Sequence, residues 1–276
     1  MLADASGLSK TALKKIMQQG AVWWQRDQQI RRLRRGGREL QPGDQLHFYW
    51  DPAILASAPA VAKLIVDGGS YSVWNKPATM LSQGTKWGDH CTLTRYAEKQ
   101  LSPERNAFLI HRLDRAASGL MVVGHSKSAT RHLARQFHDR LVNKTYLARV
   151  EGEFPDTATP LILNDPISSK PAHSEVALRT YDIATNQSIV RVNISSGRKH
   201  QIRIHLANAG WPLIGDRLHG KAGDLPADQP VPPLQLCSWQ LSFDDPDSAE
   251  RLKFNLDDES NYLLDDQSQH HWINSN

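Results

Sequence analysis

Apolar residues recur along the chain with the spacings expected of helices and strands. Leu13, Ile16 and Met17 fall on one helical face, which predicts a helix over residues 9–19 that ends at Gly20. A longer amphipathic helix is predicted over residues 126–141. Its apolar face repeats every four residues and should pack inward: Ala129, Leu133, Phe137 and Leu141.

Strand-like runs are more numerous than helical ones. Residues 176–181 and 189–194 flank a polar turn and predict an antiparallel hairpin. Residues 197–210 fit either pattern, and the helix-stop residue Gly210 favours a helix from Lys199. Hairpins outnumber βαβ units, so we expect an α+β fold around a large mixed, mostly antiparallel sheet.

A shift in composition predicts two domains. Residues 53–65 are rich in Ala and Pro and read as a linker between a small domain, residues 1–52, and a large one, residues 66–276. The small domain concentrates cations, whereas the end of the chain is acidic, an asymmetry that indicates a basic surface for a polyanion such as RNA. The cations expected to contact RNA are Lys10, Lys14, Lys15, Arg31, Arg32, Arg34 and Arg35.

The overall composition of the 276 residues is that of a globular protein, with 39% apolar and 22% charged residues. Two cysteines far apart in sequence exclude a disulfide framework and a cysteine-rich zinc site. The first residues lack the pattern of a secretory signal, and no apolar run is long enough to span a bilayer. We therefore expect a cytoplasmic protein that acts as a monomer away from membranes.

One charged segment stands between two apolar runs in the middle of the chain. Residues 111–120 read His-Arg-Leu-Asp-Arg-Ala-Ala-Ser-Gly-Leu. The flanking runs predict buried strands, so the segment is a loop held by two rigid elements. Its carboxylate, Asp114, has cationic neighbours that favour the ionised form. The plain alternative is an ordinary surface ion pair.

This segment resembles the catalytic-loop motif of the RluA family of pseudouridine synthases. The likeness extends over about residues 66–243 and implies the pseudouridine synthase fold, with RNA as partner and neither cofactor nor metal. The small domain, with its helix, strands and Pro-Gly-Asp turn, is similar to the S4 RNA-binding module. Further matching stretches are Trp74-Asn75-Lys76-Pro77-Ala78, Lys144-Thr145-Tyr146-Leu147-Ala148, and Gly197-Arg198-Lys199-His200-Gln201-Ile202-Arg203-Ile204-His205-Leu206 with Gly215-Asp216 after it.

The resemblance implies roles for individual residues. Pseudouridine formation breaks the N1–C1′ bond of uridine and joins C5 to C1′, which needs a carboxylate acting as nucleophile or base. By resemblance Asp114 is that carboxylate, and Arg203 is the bidentate cation that keeps it charged. Tyr146 would stack on the base, and its hydroxyl is a candidate for removing the C5 proton, although a free phenol is a poor base at neutral pH.

Six more residues are expected to contact the substrate. For Lys76 the resemblance allows a second role, in holding the loop that carries Asp114. For His111 the alternative is a structural hydrogen bond. The six residues are His111, Arg112, Arg115, Lys76, Arg198 and Lys199.

Three residues depart from the usual pattern of the family. Ala117 stands where Thr is usual, Thr79 where Gly is usual, and Lys199 where Thr is common. They bear on loop geometry and substrate choice rather than on the reaction.

Other functions remain open on the residues alone. A glycoside hydrolase also acts at an anomeric carbon but needs a second acid, for which Asp216 is the nearest candidate. A metal hydrolase is disfavoured, because His200 and His205 are five residues apart. A non-catalytic RNA-binding or ribosome-assembly factor would keep the fold without the reaction. The resemblance favours isomerisation of uridine in large-subunit ribosomal RNA first, and in tRNA second.

Overall fold

The computed structural model describes residues 2–223 and 230–256. The part of the acidic chain end from residue 257 onward lies outside the described residues. The chain forms two compact units, Met1–Ala60 with Met80–Arg105 and Val61–Thr79 with Asn106–Asn276. The segment Met80–Arg105 thus groups with the amino-terminal residues, whereas the sequence placed it in the large domain.

The amino-terminal unit consists of short helices and a small sheet. Its three strands are antiparallel in the order β2-β1-β3. The predicted helix at residues 9–19 is confirmed: Ser9 caps it, and Leu13, Ile16 and Met17 are buried. The elements are α1 (Leu2–Ser6), α2 (Lys10–Gln18), β1 (Val22–Arg26), β2 (Gln29–Arg32), β3 (Gln45–Phe48), α3 (Pro52–Ala56) and α4 (Leu93–Gln100).

Helix α3 and strand β4 (Lys63–Asp67) both include residues of the predicted linker. Asp51 caps α3 by accepting a hydrogen bond from the Ile54 N–H, and Pro52 fits the first turn. An Ala-rich and Pro-rich stretch therefore contains regular structure here, because the cap compensates for the short length of the helix.

The second unit is built on one sheet of ten strands. Its order is β4-β5-β7-β12-β8-β11-β10-β9, with β13 paired to β12 and β6 paired to β7. The remaining elements are β5 (Tyr71–Lys76), β6 (Phe108–Leu109), β7 (Ser118–Gly124), α5 (Lys127–His138), β8 (Asn143–Glu151), β9 (Leu161–Leu163), β10 (Ser174–Asp182), β11 (Gln187–Ile194), α6 (Gln201–Asn208), a short 3₁₀ helix (Lys221–Gly223), β12 (Leu236–Asp244) and β13 (Arg251–Asn255).

The expected α+β fold with a mixed, mostly antiparallel sheet is confirmed. Strands β7 and β12 pair in parallel, while β12 and β8 pair antiparallel. The hairpin of β10 and β11 and the helix after Lys199 are confirmed as well. Apolar residues of the central strands, including Val122, Leu147 and Leu241, form the core with Leu133 of α5. Burial of each such side chain contributes about 1.5–3 kcal/mol.

One predicted packing contact is wrong. Helix α5 ends at His138, and Arg140 has a positive φ of 61°. The chain therefore leaves the helix before Leu141, which is 53% exposed, and Val142 takes the buried position instead. None of the described helices is long and apolar enough to cross a membrane.

Candidate active site

The loop that carries Asp114 ends at the start of β7, where the backbone approaches β12 closely. Gly119 has a φ of +109°, and a Cβ at this position would lie 2.4 Å from the Ser238 carbonyl oxygen. Only glycine fits such an approach. The same level of the sheet holds Tyr146, which pairs with Ser238 across β12 and β8. The Ser-Gly pair thus brings the acidic loop close to Tyr146.

Hydrogen bonds from the buried side chain of Lys76 hold this loop in place. Lys76 is fully buried, and its Nζ donates to the carbonyl oxygens of Ala117 at 2.6 Å and Pro77 at 2.9 Å. Burial lowers the pKa of Lys76 to about 7, although the Asp114 carboxylate acts in the opposite direction. The expected RNA contact of Lys76 is therefore corrected: this side chain holds the loop.

Thr79 also holds the loop that carries Asp114, through two hydrogen bonds with Arg115. The Thr79 N–H donates to the Arg115 carbonyl oxygen at 2.8 Å, and the Arg115 Nε donates to the Thr79 carbonyl oxygen at 3.3 Å. Thr79 has a φ of +72°, a left-handed conformation that is costly for a β-branched residue. Glycine adopts a positive φ without this cost, so it suits the position better than threonine does.

Arg203 lies on α6 and is shared by two carboxylates. Its Nη1 is 3.4 Å from Asp114 Oδ2, while its Nε and Nη2 donate to Asp216 at 2.8 and 2.6 Å. Arg203 is 5% exposed and Asp216 1% exposed. Asp114 and Arg203 are therefore paired in the structure, but through a single contact, and the bidentate pair expected for Asp114 is made with Asp216 instead.

Charge pairing outweighs burial at this pair. Burial disfavours the charged form of Arg203, but its hydrogen bonds to Asp216 raise the pKa of Arg203 overall. Burial likewise opposes ionisation of Asp216, and the hydrogen bond from Arg203 lowers the pKa of Asp216 overall. Asp216 also accepts from the backbone N–H groups of Leu218 and His219. An ionised carboxylate with four donors is not a proton donor, which removes the support for a glycoside hydrolase.

Tyr146 lies in the same site, 8% exposed. Burial raises the pKa of the Tyr146 phenol well above its usual range, although a hydrogen bond with Ser238 opposes the shift. Its hydroxyl is thus protonated at neutral pH, which supports the predicted role of the ring and weakens the predicted role of the hydroxyl as a base.

His200 and His219 form a pair that the sequence did not single out. His200 Nε2 is 3.9 Å from Asp114 Oδ2, and His200 Nδ1 is 2.9 Å from His219 Nε2. His200 precedes α6 with a φ of +57°. The positive φ could not be predicted from the sequence, because a histidine before a helix does not indicate a left-handed backbone conformation.

These side chains surround a cleft with a volume of about 140 Å³. It combines cations, one carboxylate and several apolar side chains, as a site for a polar planar base requires. The lining residues are Arg112, Leu113, Asp114, Ala117, Tyr146, Ile194, Gly197, Arg198, Lys199, His200, Gln201, Ile202, Arg203 and Leu236.

The predicted substrate contacts have different outcomes. Arg112, Arg198 and Lys199 line the cleft, so their substrate contacts stay predictions supported by position. Arg115 is not among the lining residues, and its Nε bonds the Thr79 carbonyl oxygen, so its substrate contact stays a prediction without that support. His111 instead accepts a hydrogen bond from the Val122 N–H at 3.0 Å and stacks on Phe137. Burial lowers the pKa of His111 to about 3, so the ring is neutral. Its expected substrate contact is corrected to the structural alternative.

The cations of the amino-terminal unit also divide into two groups. Lys10, Lys14, Lys15, Arg31 and Arg35 are exposed. Arg32 and Arg34 both pair with Asp89, and Arg32 also donates to the carbonyl oxygen of Gly20. These ion pairs join the segment Met80–Arg105 to the amino-terminal residues. No local pattern predicts these ion pairs, because Asp89 lies more than fifty residues farther along the chain.

Metal-based chemistry has no visible site in the described part of the chain. No group of three or more His, Cys, Asp or Glu side chains there could hold a metal ion. His205 is buried against the Ser174 hydroxyl and the Asp165 carbonyl oxygen, at 2.9 Å each, and so has a structural role.

Comparison with known proteins agrees with this geometry. The family model described as RNA pseudouridylate synthase matches residues 70–208, half of the chain. The chain belongs to this family. It is an RNA pseudouridine synthase, an isomerase that acts on uridine in RNA.

Relatives place this synthase within the family. It is 35% identical over 161 residues to the dual-specificity RNA pseudouridine synthase RluA of Escherichia coli, an alignment that covers 53% of this chain and 72% of that protein. It is 30% identical over 209 residues to the ribosomal large subunit pseudouridine synthase D of Nitrosomonas europaea. That alignment covers 69% of this chain and 60% of the relative. The RluA-type resemblance is therefore confirmed.

Solved structures show the same fold. Human RNA pseudouridylate synthase domain containing 1 matches with a TM-score of 0.58 at 21% identity, over 76% of this chain and 89% of that one. Human RNA pseudouridylate synthase domain containing 4 matches with a TM-score of 0.52 at 19% identity, over 71% and 88%. At these identities the likeness concerns the fold alone.

Proposed function

We propose that this synthase isomerises one or more uridines of large-subunit ribosomal RNA, with Asp114 acting at C1′. The observation that carries the proposal is the shared guanidinium of Arg203, which lies between Asp114 and the buried Asp216 at the edge of the cleft. Two carboxylates share one cation, so Asp114 is only loosely bound to it, at 3.4 Å. A carboxylate in that state is free to react.

The target base must leave its stack to reach this carboxylate. Extrusion costs a few kcal/mol, which contacts inside the cleft have to offset. Stacking on the Tyr146 ring and ion pairs from Arg112, Arg198 and Lys199 to the flanking phosphates supply such contacts. Asp114 then acts on the sugar, either as nucleophile at C1′ or as a base beside it.

Ribosomal RNA is the first choice of substrate for two reasons. One relative is named a ribosomal large subunit pseudouridine synthase. The amino-terminal unit of this chain also presents exposed cations, and we assign it the role of an S4-like RNA-binding domain, with Lys10, Lys14 and Lys15 contacting phosphates. The name of the Escherichia coli relative, a dual-specificity synthase, makes tRNA the second candidate.

Modification mapping tests the substrate. Ribosomal RNA and tRNA are isolated from cells with and without this gene, treated with carbodiimide and read by primer extension. We expect a pseudouridine in large-subunit RNA that is lost on deletion and returns with the wild-type gene but not with Asp114→Ala. A change confined to tRNA would favour the second candidate, and identical maps in all strains would overturn the proposal.

Salt dependence tests the amino-terminal unit separately. Changing Lys10, Lys14 and Lys15 together to Gln should weaken RNA binding and reduce the slope of log affinity against log salt by about 2–3, one for each lost phosphate contact. The rate at saturating RNA should not change. An unaltered salt slope would contradict the assignment of this surface.

We propose that the synthase is a cytoplasmic monomer, since the proposed RNA substrates are cytoplasmic and Asp114, Tyr146 and Arg203 already meet in the cleft without a second subunit. Light scattering of the purified protein across micromolar concentrations should give one mass, close to that of a single chain.

A further inference from the structure

His200 lines the cleft, and His219 lies against it, but neither has a role in the proposed action of Asp114. The His200 side chain is 17% exposed, and its Nε2 is 3.9 Å from Asp114 Oδ2. Its other ring nitrogen, Nδ1, lies 2.9 Å from His219 Nε2. At that distance the two nitrogens share one hydrogen bond, so one ring donates and the other accepts.

The backbone places both rings. His200 adopts a φ of +57°, which is uncommon outside glycine and persists only where the surroundings hold it. The next residue, Gln201, supplies that support by accepting hydrogen bonds from Ser196 Oγ at 2.8 Å and the Arg198 N–H at 3.1 Å. On the other side, the His219 N–H donates to Asp216 Oδ1 at 3.1 Å.

The reaction needs a proton acceptor at this location. Once C5 has bonded to C1′, C5 carries both its hydrogen and the sugar. The hydrogen must leave as a proton, its electron pair restores the C5–C6 double bond, and N1 takes up a proton, so the isomerisation has no net proton change. With Asp114 acting at C1′ as proposed, the new C5–C1′ bond forms next to this carboxylate, and the proton acceptor must therefore lie beside it.

Tyr146 does not suit this step, because burial raises the pKa of its phenol and keeps the hydroxyl protonated. We propose that His200 accepts the C5 proton at Nε2, and that His219 holds the His200 ring in the tautomer whose proton is on Nδ1. This assignment rests on the proposed role of Asp114 at C1′.

The charges around His200 are compatible with a neutral ring before the reaction. Burial lowers the pKa of His200; Asp114 opposes this shift, whereas Arg203, His219 and Lys199 add to it. The neutral ring then has an acceptor at Nε2 once Nδ1 donates to His219. After proton transfer, the imidazolium lies next to the Asp114 carboxylate, which stabilises it.

Chemical rescue tests the assignment. His200→Gly suits the positive φ and leaves a void into which free imidazole fits. The assay measures tritium release from large-subunit RNA that carries 5-tritiated uridine. We expect a rate about 10²–10⁴ times lower than that of the wild type, with unchanged RNA affinity, and partial recovery with imidazole. Asp114→Asn should gain nothing from imidazole, and exposed His138→Asn should retain the wild-type rate.

Two further measurements separate a proton acceptor from a structural residue. In the first, RNA with deuterium at C5 is compared with unlabelled RNA, and the rate of pseudouridine formation is measured. The isotope effect on this rate should be larger for His200→Gly than for the wild type, because removal of the C5 hydrogen then limits the reaction. His219→Gln keeps an acceptor for Nδ1 and should retain most of the rate, whereas His219→Phe should lose about tenfold. If His200→Gly does not fold, His200→Asn tolerates the same φ and takes its place in the rate and isotope measurements.

The outcomes are distinct. A His200→Gly rate within twofold of the wild-type rate, or a loss that imidazole does not recover with an unchanged isotope effect, would overturn the assignment. A folded wild-type enzyme that releases no tritium from any RNA would overturn the proposed function, and this assignment with it.

Discussion

Replacing Asp216 with asparagine should destabilise the second unit and slow the reaction, although Asp216 does not line the cleft. The carboxylate accepts two hydrogen bonds from Arg203 and two from backbone N–H groups. Asparagine has the same shape, but its NH₂ group would face a guanidinium donor. Breaking a buried ion pair on one side costs about 3–5 kcal/mol, because the other charge stays buried without a partner.

The loss can be measured by thermal unfolding. For a chain of this size each 1 kcal/mol shifts the melting temperature by about 2–4 °C, so Asp216→Asn should melt roughly 6–20 °C below the wild type. Arg203 would turn towards Asp114 once its main partner is lost. We therefore expect kcat to fall by about 10–100-fold, while RNA affinity changes little.

A matched control is Asp139→Asn. Asp139 also pairs with an arginine, Arg135, but its side chain is 39% exposed, and such solvent-screened surface pairs contribute little to stability. Its melting temperature and activity should stay near those of the wild type. If Asp216→Asn melted within 2 °C of the wild type with full activity, the shared guanidinium would not organise the site.

Three more variants probe the residues around the loop. Tyr146→Phe should keep activity within about tenfold and Tyr146→Ala should lose it, since the ring rather than the protonated hydroxyl acts; a dead Phe variant in the tritium assay would contradict this. The pKa of Lys76 is about 7 in the folded protein and about 10.4 when unfolded, so between these values only the unfolded chain binds the proton and stability rises with pH. In urea unfolding the wild type should therefore gain about 2 kcal/mol from pH 7 to pH 9 relative to Lys76→Met; parallel pH curves would refute the burial argument. Thr79→Gly removes the strain of a positive φ and should stabilise the protein by about 0.5 kcal/mol, whereas a loss above 1 kcal/mol would show that the threonine side chain makes a compensating contact.

Much of the fold follows from local pattern, and the exceptions have local causes. The helix at Lys10–Gln18 and the strand hairpin after Ser174 were predictable, because apolar spacing, a cap and a turn agree there. Leu141 was placed wrongly since the four-residue repeat continues in sequence beyond the point where the backbone leaves the helix. A positive φ at Arg140 is not visible in apolar spacing.

Site residues that lie within a matching motif could be predicted from the sequence. Residues that only the fold brings next to them could not. Asp114, Tyr146 and Arg203 come from matching motifs and lie together in the cleft. Asp216 belongs to a matching stretch and was considered as a rival acid, but nothing in the sequence pattern marks it as the partner of Arg203. His219 carries no signal of its own, since only the fold brings it to His200.

If the Asp114 carboxylate acts at C1′, removing its negative charge should abolish the reaction without weakening RNA binding. Tritium release from 5-tritiated RNA by Asp114→Asn measures the reaction, and filter binding of the same variant to the same RNA measures the affinity. The structure predicts release at least a thousandfold slower than that of the wild type, with a Kd within about threefold of the wild-type value. Release within tenfold of the wild-type rate by a folded Asp114→Asn variant would contradict the claim.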